Sequence, residues 1–340
     1  MKVAVTGAGG FLGKALVARL RNSEFEPLAI VKKEPDSSVY GEKGIDSICR
    51  DLTEKDACAG LFKDCHAVVH CAVMRRDYGK WEDFKRTNID LTRLVMEYAA
   101  KAEVKKVIHI STVAVYGNDH SHFGTDEDAD YGERVVDHYT RSKIEADKIV
   151  SALIDDKNFP AVILRPGYIW GPGDKAIIPF VINNLKSKRL FFADDGSNLL
   201  SLTYIENVVE AIMIALRKED AVGKTFNITD GSKVSSSRFV NDIIAILGID
   251  YKPRHVQYTV LYTAAYLMEI YYRLVRRSSI PHLTRFAARF LKYDAIFDIS
   301  RAIYDLGYQP KYSYKEGMTI LTPYLRSLYY GGKKAQTEDK

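Results

Sequence analysis

Two side chains that can transfer a proton lie four residues apart in the stretch HYTRSKIEA. They are Tyr139 and Lys143, and on a helix this spacing puts both on one face. A phenol with an ordinary pKa of about 10 is a weak base at neutral pH, but an adjacent ammonium group stabilises the phenolate. Upstream, in HISTVAVYG, Ser111 and Thr112 follow a predicted strand. The sequence therefore predicts a proton-transfer site with a hydroxyl group that orients a substrate carbonyl.

Three glycines in the stretch TGAGGFLG indicate a phosphate-binding turn. Gly7, Gly10 and Gly13 follow the first apolar run, KVAVT, and the chain then continues with helical periodicity. A helix that begins at such a turn presents unpaired N–H groups to an anion, and glycine lets a pyrophosphate approach the backbone. A plain tight turn is the alternative explanation. The position at the first strand–helix junction favours a dinucleotide site.

The end of the second predicted strand indicates which dinucleotide binds. An NAD site usually has an acidic residue there to hold the ribose 2′-hydroxyl. Here Val31 takes that place, and Lys32 and Lys33 follow it. Two ammonium groups suit a 2′-phosphate, so we expect NADP(H) to be preferred, with NAD(H) possible. Two alternatives remain: the lysines are simply solvated, or Glu34 turns toward the ribose.

The elements that must position these groups alternate between strand and helix. Apolar runs that read as buried strands are separated by polar or helix-periodic stretches over about 170 residues. This alternation predicts an α/β fold, a Rossmann-type doubly wound parallel sheet with a smaller C-terminal substrate-binding lobe. The predicted domains are 1–170 for NAD(P) binding, with later segments returning to it, 171–330 mainly for the substrate, and a disordered tail at 331–340.

The composition of the chain argues against several other classes of protein, namely disordered, nucleic-acid-binding and metal-binding ones. The 340 residues are 46% hydrophobic and 27% charged, which is typical of a globular protein. Residues 251–340 carry 15 Lys and Arg against 7 Asp and Glu, a balance of +8, but without the clustering of a nucleic-acid motif, so no nucleic-acid partner is expected. No metal is expected, because the HxH pair and the cysteines lack ligand spacing. These residues are His120, His122, Cys49, Cys58, Cys65 and Cys71. Reduced thiols without a secretory signal fit a cytoplasmic protein.

The chain resembles the extended branch of the short-chain dehydrogenase/reductase superfamily over residues 1–325. The motifs that match, in the family's order, are TGAGGFLG, RDLTE, HCAV, TNIDLT, ISTVAVYG, YTRSK, RPGYIWGPG and LTYIENVVEAI. The resemblance implies that Tyr139 is the general acid/base, that Lys143 holds the nicotinamide ribose, and that Thr112 polarises the reacting oxygen. Ser111 is expected to share that last role, and Asn88 to position the helix and a proton-relay water.

The glycine turn, the lysines and the resemblance together imply one set of cofactor contacts. They are Gly7, Gly10, Phe11, Leu12, Gly13, Lys32, Lys33, Asp51, Leu52, Cys71, Ala72, Tyr139, Lys143, Pro166 and Gly167. Two residues depart from the family pattern: Leu91 stands where many relatives have glycine, and His70 where many have asparagine. Neither departure removes a catalytic group.

The C-terminal part is similar to 3β-hydroxysteroid dehydrogenase-like enzymes, mainly through FDISRAIYDLGYQP followed by EGM. This similarity implies a hydrophobic substrate, a sterol-like or long-chain β-keto or β-hydroxy acid, oxidised or reduced at a secondary alcohol or ketone. A nucleotide-sugar epimerase is the alternative enzyme, and a non-catalytic dinucleotide-binding protein is the alternative of another class. A dehydratase is disfavoured because VAV, and not an acidic pair, follows Thr112.

Residues next to the predicted strand AVVHCAV are candidates for the substrate site. Arg75 and Arg76 follow HCAVM and could hold a carboxylate or a phosphate, or could form an exposed basic loop. Met74 and Tyr168 complete the predicted substrate contacts.

Residues 258–277 form an apolar helical stretch with a basic end. Leu261, Ala265, Met268, Tyr272 and Val275 share one predicted face, and Arg273, Arg276 and Arg277 follow. The apolar part is shorter than the roughly 20 residues that span a bilayer. A lid, a peripheral membrane contact and a helix packed into the small lobe are all compatible with this pattern. The family resemblance also implies a homodimer.

Overall fold

The computed structural model describes residues 1–76, 78–275 and 281–331. The predicted disordered tail, apart from Gly331, lies outside the described residues. Arg276 and Arg277 lie outside them as well.

The strands of the described residues form one large sheet and four short pairs. They are β1 (Lys2–Thr6), β2 (Glu26–Val31), β3 (Asp46–Cys49), β4 (Ala67–His70), β5 (Lys106–Ile110), β6 (His122–Thr125), β7 (Ala161–Pro166), β8 (Tyr168–Trp170), β9 (Phe191–Ala193), β10 (Leu199–Leu200), β11 (Leu202–Tyr204), β12 (Thr225–Ile228), β13 (Val234–Ser235), β14 (Arg254–Val256) and β15 (Ala295–Phe297).

The helices follow the strands in alternation through the first half of the chain. They are α1 (Phe11–Arg21), α2 (Glu34–Glu42), α3 (Trp81–Phe84), α4 (Leu91–Lys101), α5 (His138–Lys157), α6 (Ile177–Lys186), α7 (Ile205–Arg217), α8 (Ser236–Leu247), α9 (Tyr258–Leu274), α10 (Arg285–Phe290) and α11 (Tyr314–Tyr330). Residues Lys85–Asp90 and Ala302–Leu306 are π-helical, and Val113–Tyr116 and Glu219–Ala221 are 3₁₀ turns.

The large sheet confirms the predicted fold class. Its seven strands are all parallel, in the order β12-β7-β5-β4-β1-β2-β3. From β1 the chain first builds outward through β2 and β3, and then returns to β4 on the other side of β1. Ligands of doubly wound sheets bind at such a switch point, outside the carboxyl ends of the strands.

Each face of the sheet is covered by helices whose apolar stripe packs against it. Leu16, Val17 and Leu20 of α1 are fully buried on one face, in the cluster that also contains α7. Val95 and Ala99 of α4 are buried on the other face. This two-sided burial explains why β1, β4, β5 and β7 are almost wholly apolar runs, as the sequence predicts.

A separate apolar cluster forms beside the sheet. Trp170, Tyr204, Phe239 and Tyr314 lie near its centre, where their rings contact one another, and α6, α8 and α11 contribute most of the rest. Residues of the C-terminal part also return to the sheet, since Tyr308 is buried in the α1–α7 cluster. The cleft between this second cluster and the sheet contains the candidate site.

Candidate functional site

A cavity of about 540 Å³ lies at the carboxyl ends of the central strands. It brings together most of the residues that the sequence singles out. Those that line it are Gly7, Gly10, Phe11, Leu12, Gly13, Lys32, Asp51, Leu52, Cys71, Ala72, Arg75, Ser111, Thr112, Tyr139, Lys143, Pro166, Gly167 and Tyr168. Four predicted site residues are not among its lining residues: Lys33, Met74, Arg76 and Asn88.

The glycine turn lies at one end of the cavity, where it leaves space at the backbone and exposes the start of α1. Gly7 has a φ of +69°, and a Cβ there would lie 2.7 Å from the Ala72 backbone, so this glycine is required by the neighbouring strand end. Gly10 is the N-cap of α1, and no side chain caps the helix. Among the residues that the structure describes, no side chain therefore accepts the N–H groups of the first turn of α1, which meets the cavity. This arrangement fits a pyrophosphate.

Two cations lie at adjacent strand ends in the cavity wall, where the sequence predicts the adenosine end of a dinucleotide. Lys32 follows β2, and its Nζ lies 2.7 Å from Oδ2 of Asp51. Asp51 is itself held by Thr53, whose backbone N–H and hydroxyl both donate to Oδ1 at 3.0 and 2.8 Å. Arg50, which follows β3, also lines the cavity. The sequence reasoning missed Arg50, although it directly precedes Asp51 in the RDLTE motif.

Helix α5 carries the predicted proton-transfer pair. It begins at His138 and is capped by Asp137, whose side chain accepts the Thr140 N–H at 2.7 Å, so Tyr139 lies in the first turn and Lys143 one turn later. The Lys143 ammonium group is buried and donates to the Ile110 carbonyl at 2.8 Å. Burial lowers the pKa of Lys143 to about 8, against the opposing effect of the Asp147 carboxylate.

The two candidate hydroxyls differ in what they contact. Ser111 donates to Oδ2 of Asp147, whose carboxylate also pairs with Arg165 at 2.8 Å in the protein interior. Thr112 instead begins the Val113–Tyr116 turn, where its Oγ1 accepts the Ala114 N–H at 3.2 Å. An oxygen that accepts a backbone N–H still has its own proton to donate. Thr112 is therefore the hydroxyl that can donate to a ligand in the cavity.

Asn88 lies behind the cavity and connects two of its walls. Its Oδ1 accepts the Met74 N–H at 2.7 Å, while its Nδ2 donates to the Met74 carbonyl at 3.1 Å and to Ser142 at 2.8 Å. Ser142 in turn donates to the Tyr139 carbonyl at 2.8 Å. Asn88 thus ties the chain after β4 to the first turn of α5. Its own side chain is satisfied by these contacts.

His70 extends this network to the glycine turn. Thr92 donates to the Asn88 carbonyl at 2.7 Å, so its oxygen accepts from His70 Nε2 at 3.1 Å. His70 Nδ1 is then the acceptor, and the Thr6 hydroxyl donates to it at 2.8 Å. Only a neutral imidazole with its proton on Nε2 satisfies all these bonds. Burial lowers the pKa of His70 to about 3, with the Lys143 charge acting in the same direction.

The opposite end of the cavity is aromatic. Phe286 and Phe290 of α10 line it together with Tyr293, and the Phe290 and Tyr168 ring centroids are 4.2 Å apart. Arg289, also on α10, lines it as well. Tyr168 is a predicted substrate contact. The sequence reasoning missed Phe286, Arg289, Phe290 and Tyr293, because the stretch RFAARFLKY has no motif and only the tertiary structure brings it to the cleft.

Helix α9 packs against α10 and presents two different faces. Its buried residues are Leu261, Ala265, Glu269 and Tyr272, and Glu269 pairs with Arg285 at 2.9 Å. Most of the predicted apolar face is therefore buried, whereas Val275, which follows the last helical residue Leu274, is 49% exposed.

The outward face of α9 is also apolar. Val260, Leu267, Tyr271 and Leu274 are between 55 and 78% exposed on it. Within the residues described here, no helix has the length and apolar character needed to cross a membrane.

The histidines, carboxylates and cysteines were also compared with the requirements of a metal site or a disulfide. Across the described ranges, no three His, Cys, Asp or Glu side chains are grouped to hold a metal ion. All four cysteines are free thiols. Cys71 lies in the cavity wall, where burial raises the pKa of its thiol to about 12.

Comparison with protein families identifies the chain's relatives. Residues 3–229 match the model of the NAD dependent epimerase/dehydratase family. The chain is 29% identical over 329 residues to the 2-alkyl-3-oxoalkanoate reductase of Stenotrophomonas maltophilia (strain K279a), covering 94% of this chain and 98% of that protein. It is 28% identical over 275 residues to the decarboxylating sterol-4-alpha-carboxylate 3-dehydrogenase of Mus musculus, covering 79% and 75%.

Solved structures agree with the fold. The UDP-glucuronic acid 4-epimerase from Bacillus cereus, in complex with UDP-glucuronic acid and NAD, superposes with a TM-score of 0.76 at 22% identity, over 97% of this chain and 100% of that one. These comparisons confirm the resemblance to extended short-chain dehydrogenases/reductases, including the similarity to sterol dehydrogenases.

Proposed function

Because the chain belongs to the NAD-dependent epimerase/dehydratase family and is an NAD(P)-dependent oxidoreductase of the extended short-chain type, we propose that it interconverts a ketone and a secondary alcohol on a hydrophobic substrate, with NADP(H) preferred. One observation supports this most directly. Thr112, Tyr139 and Lys143 line a single cavity that begins at the uncapped first turn of α1 and ends among aromatic side chains.

The proposed proton transfer uses three side chains. Lys143 and Tyr139 would hold a nicotinamide cofactor beside them, and when bound it would supply the hydride for reduction of the ketone or accept the hydride of the alcohol. In the reductive direction Thr112 donates a hydrogen bond to the carbonyl oxygen, and Tyr139 donates the proton that completes the alcohol. The Lys143 ammonium group, buried beneath them, stabilises the resulting phenolate. Ser111 has no direct part in this proposal, because its hydroxyl binds Asp147.

The preference for NADP(H) rests on charge at the adenosine end. Lys32 and Arg50 extend from the ends of neighbouring strands β2 and β3 and both line the cavity. A 2′-phosphate there would accept charge-assisted hydrogen bonds from both cations. Lys33 does not line the cavity, so we assign the 2′-phosphate to Lys32 and Arg50.

The proposed substrate class follows from the far end of the cavity. Phe286, Phe290, Tyr293 and Tyr168 give it an apolar wall against which a hydrophobic skeleton would be buried. The similarity to a 2-alkyl-3-oxoalkanoate reductase, which covers nearly the full length of both chains, supports a long-chain or sterol-like skeleton.

The test is a cofactor-consumption assay on three substrates. We expect NADPH oxidation with a long-chain 2-alkyl-3-keto acid or a 3-ketosteroid, and loss of turnover with near-normal NADPH binding in Tyr139→Phe. Conversion of a UDP-sugar without net NADPH consumption would instead identify a nucleotide-sugar epimerase. Unchanged activity of Tyr139→Phe would contradict the proposed mechanism.

We further propose that α9 contacts a lipid surface. Its outward residues Val260, Leu267, Tyr271 and Leu274 form an apolar face, and the last quarter of the chain carries the +8 balance that favours anionic headgroups. Because α9 packs on α10, this contact would place a membrane next to the apolar end of the cavity.

Vesicle flotation tests the lipid contact. We expect binding to phosphatidylcholine vesicles that contain phosphatidylglycerol, and loss of it in Leu267→Glu/Leu274→Glu. Val39→Glu changes an exposed valine on α2 and is the matched control. Absence of vesicle binding, with a dimer by light scattering that the double variant dissociates, would identify a second copy of the chain as the partner.

A further inference from the structure

The aromatic end of the cavity contains an arginine without a carboxylate partner. Arg289 donates from Nη1 to Oδ1 of Asn118 at 3.3 Å and to the Arg134 carbonyl at 2.9 Å, and its guanidinium lies 5.7 Å from the Tyr262 ring centroid. All three partners are neutral. Within the part of the chain that the structure describes, no Asp or Glu forms an ion pair with Arg289.

A neighbouring arginine on the same helix, in contrast, does have a carboxylate partner. Arg285, one turn earlier on α10, is paired with Glu269 at 2.9 Å. Among the described residues, the Arg289 guanidinium therefore lines the cavity without forming an ion pair, although the same helix contains an arginine with a carboxylate partner. A half-buried cation of this kind gains most from an anionic ligand.

Asn118 supplies a second donor at the same place. Because Arg289 donates to its Oδ1, the other arm of the amide is the Nδ2 donor. That Nδ2 is buried and has no hydrogen-bond partner among the described residues, although Asn118 lines the cavity. A buried donor left unpaired costs stability, so a ligand oxygen at this point would satisfy it.

We propose that Arg289 and Asn118 form a carboxylate-binding subsite, so that the substrate of the proposed reaction is an acid. This inference rests on the proposed function. Asn118 follows the Val113–Tyr116 turn, which begins after Thr112 and spans about 8 Å at roughly 2 Å per residue. The acid group and the reacting oxygen thus bind along one short segment of chain.

The charge balance favours a carboxylate over a diphosphate. One guanidinium and one neutral amide match a single negative charge, and the Asp294 carboxylate lines the same end of the cavity. A more highly charged anion would meet that carboxylate, while the other arginine of α10, Arg285, is already paired with Glu269. Comparing the binding of a UDP-sugar with that of the acid distinguishes a phosphate ligand from a carboxylate ligand.

The experiment compares an acid with its neutral ester. The substrates are a long-chain 2-alkyl-3-hydroxy acid and its methyl ester, oxidised with NADP⁺, and both are also titrated calorimetrically into the NADP⁺-loaded protein. We expect kcat/KM and affinity at least tenfold higher for the acid. Arg289→Met should remove this preference with little effect on the ester, while Arg289→Lys restores part of it and Asn118→Ala weakens it.

The controls separate structural damage from lost recognition. Arg254→Met removes an exposed arginine of β14 and should leave the preference intact. NADPH binding and the melting temperature check that Arg289→Met folds. Equal binding of acid and ester to the wild type, or an equal loss of both in Arg289→Met, would overturn the inference.

Failure of the proposed function has a different signature. In that case neither compound is oxidised, but the calorimetric comparison still tests the subsite. Tighter binding of a UDP-sugar than of the acid, abolished by Arg289→Met, would assign the subsite to phosphate and contradict a carboxylate ligand.

Discussion

His70 makes the stability of the protein depend on pH in a way that a single substitution can isolate. Its ring is buried, accepts from Thr6 and donates to Thr92, an arrangement that requires the neutral form. His109 is stacked on it with ring centroids 5.7 Å apart, and burial holds the pKa of His109 well below its usual range as well. We expect both histidines to destabilise the folded state in acid.

The magnitude follows from the two pKa values of His70. In the unfolded chain the pKa is about 6.5, and in the folded protein it is lowered to about 3. Between these values the unfolded state binds more protons, so stability is fully present above pH 6.5 and falls as the pH is lowered. At pH 5, which is 1.5 units below 6.5, the loss is about 2 kcal/mol at ~1.4 kcal/mol per unit.

The assay is urea unfolding of wild type and His70→Phe at pH 7.5 and pH 5. At pH 7.5 the variant should be less stable by about 1–3 kcal/mol, because the Thr6 hydroxyl loses its buried acceptor. Between the two pH values it should lose about 2 kcal/mol less than the wild type. The remaining pH dependence then belongs to His109 and the other titrating groups.

The matched control is His282→Phe, at an exposed histidine, which should keep the wild-type pH dependence. An identical pH dependence in wild type and His70→Phe would refute the reasoning, because it would mean that folding does not change the protonation of His70.

Four further substitutions test the candidate site. Lys32→Ala should raise the Kd for NADPH by about tenfold or more, as loss of one charge-assisted hydrogen bond predicts, with NADH binding unchanged; Lys33→Ala is the control, and equal effects of the two would reject the assignment. Thr112→Val should lower kcat by about 10²-fold or more with normal stability. Ser111→Ala should instead lower the urea midpoint and largely preserve kcat. The reverse pattern would show that Ser111, and not Thr112, is the catalytic hydroxyl. Asn88→Ala should lower both stability and kcat, since it frees the first turn of α5, and an unchanged kcat would show that this tether is not needed for turnover.

Much of the fold could be predicted from local patterns. The apolar runs, the glycine turn and the helical periodicity each express a property of a few consecutive residues, and β1, α1, β4, β5 and β7 form where these patterns predict them. Strand β3 was not predicted. It lies at the edge of the sheet, and its sequence DSIC is only half-buried and lacks the apolar character of the central strands.

The sequence by itself determined which chemical groups exist and, through short spacings, that Tyr139 and Lys143 share a helix face. Only the tertiary structure decided what surrounds them. The Thr6–His70 bond joins residues 64 positions apart, and the Asn118–Arg289 bond residues 171 positions apart. The physical reason is that burial and hydrogen-bond partners are set by packing between distant segments. Packing decides that Ser111 binds a buried carboxylate, that His70 stays neutral, and that a cation on α10 faces the cavity.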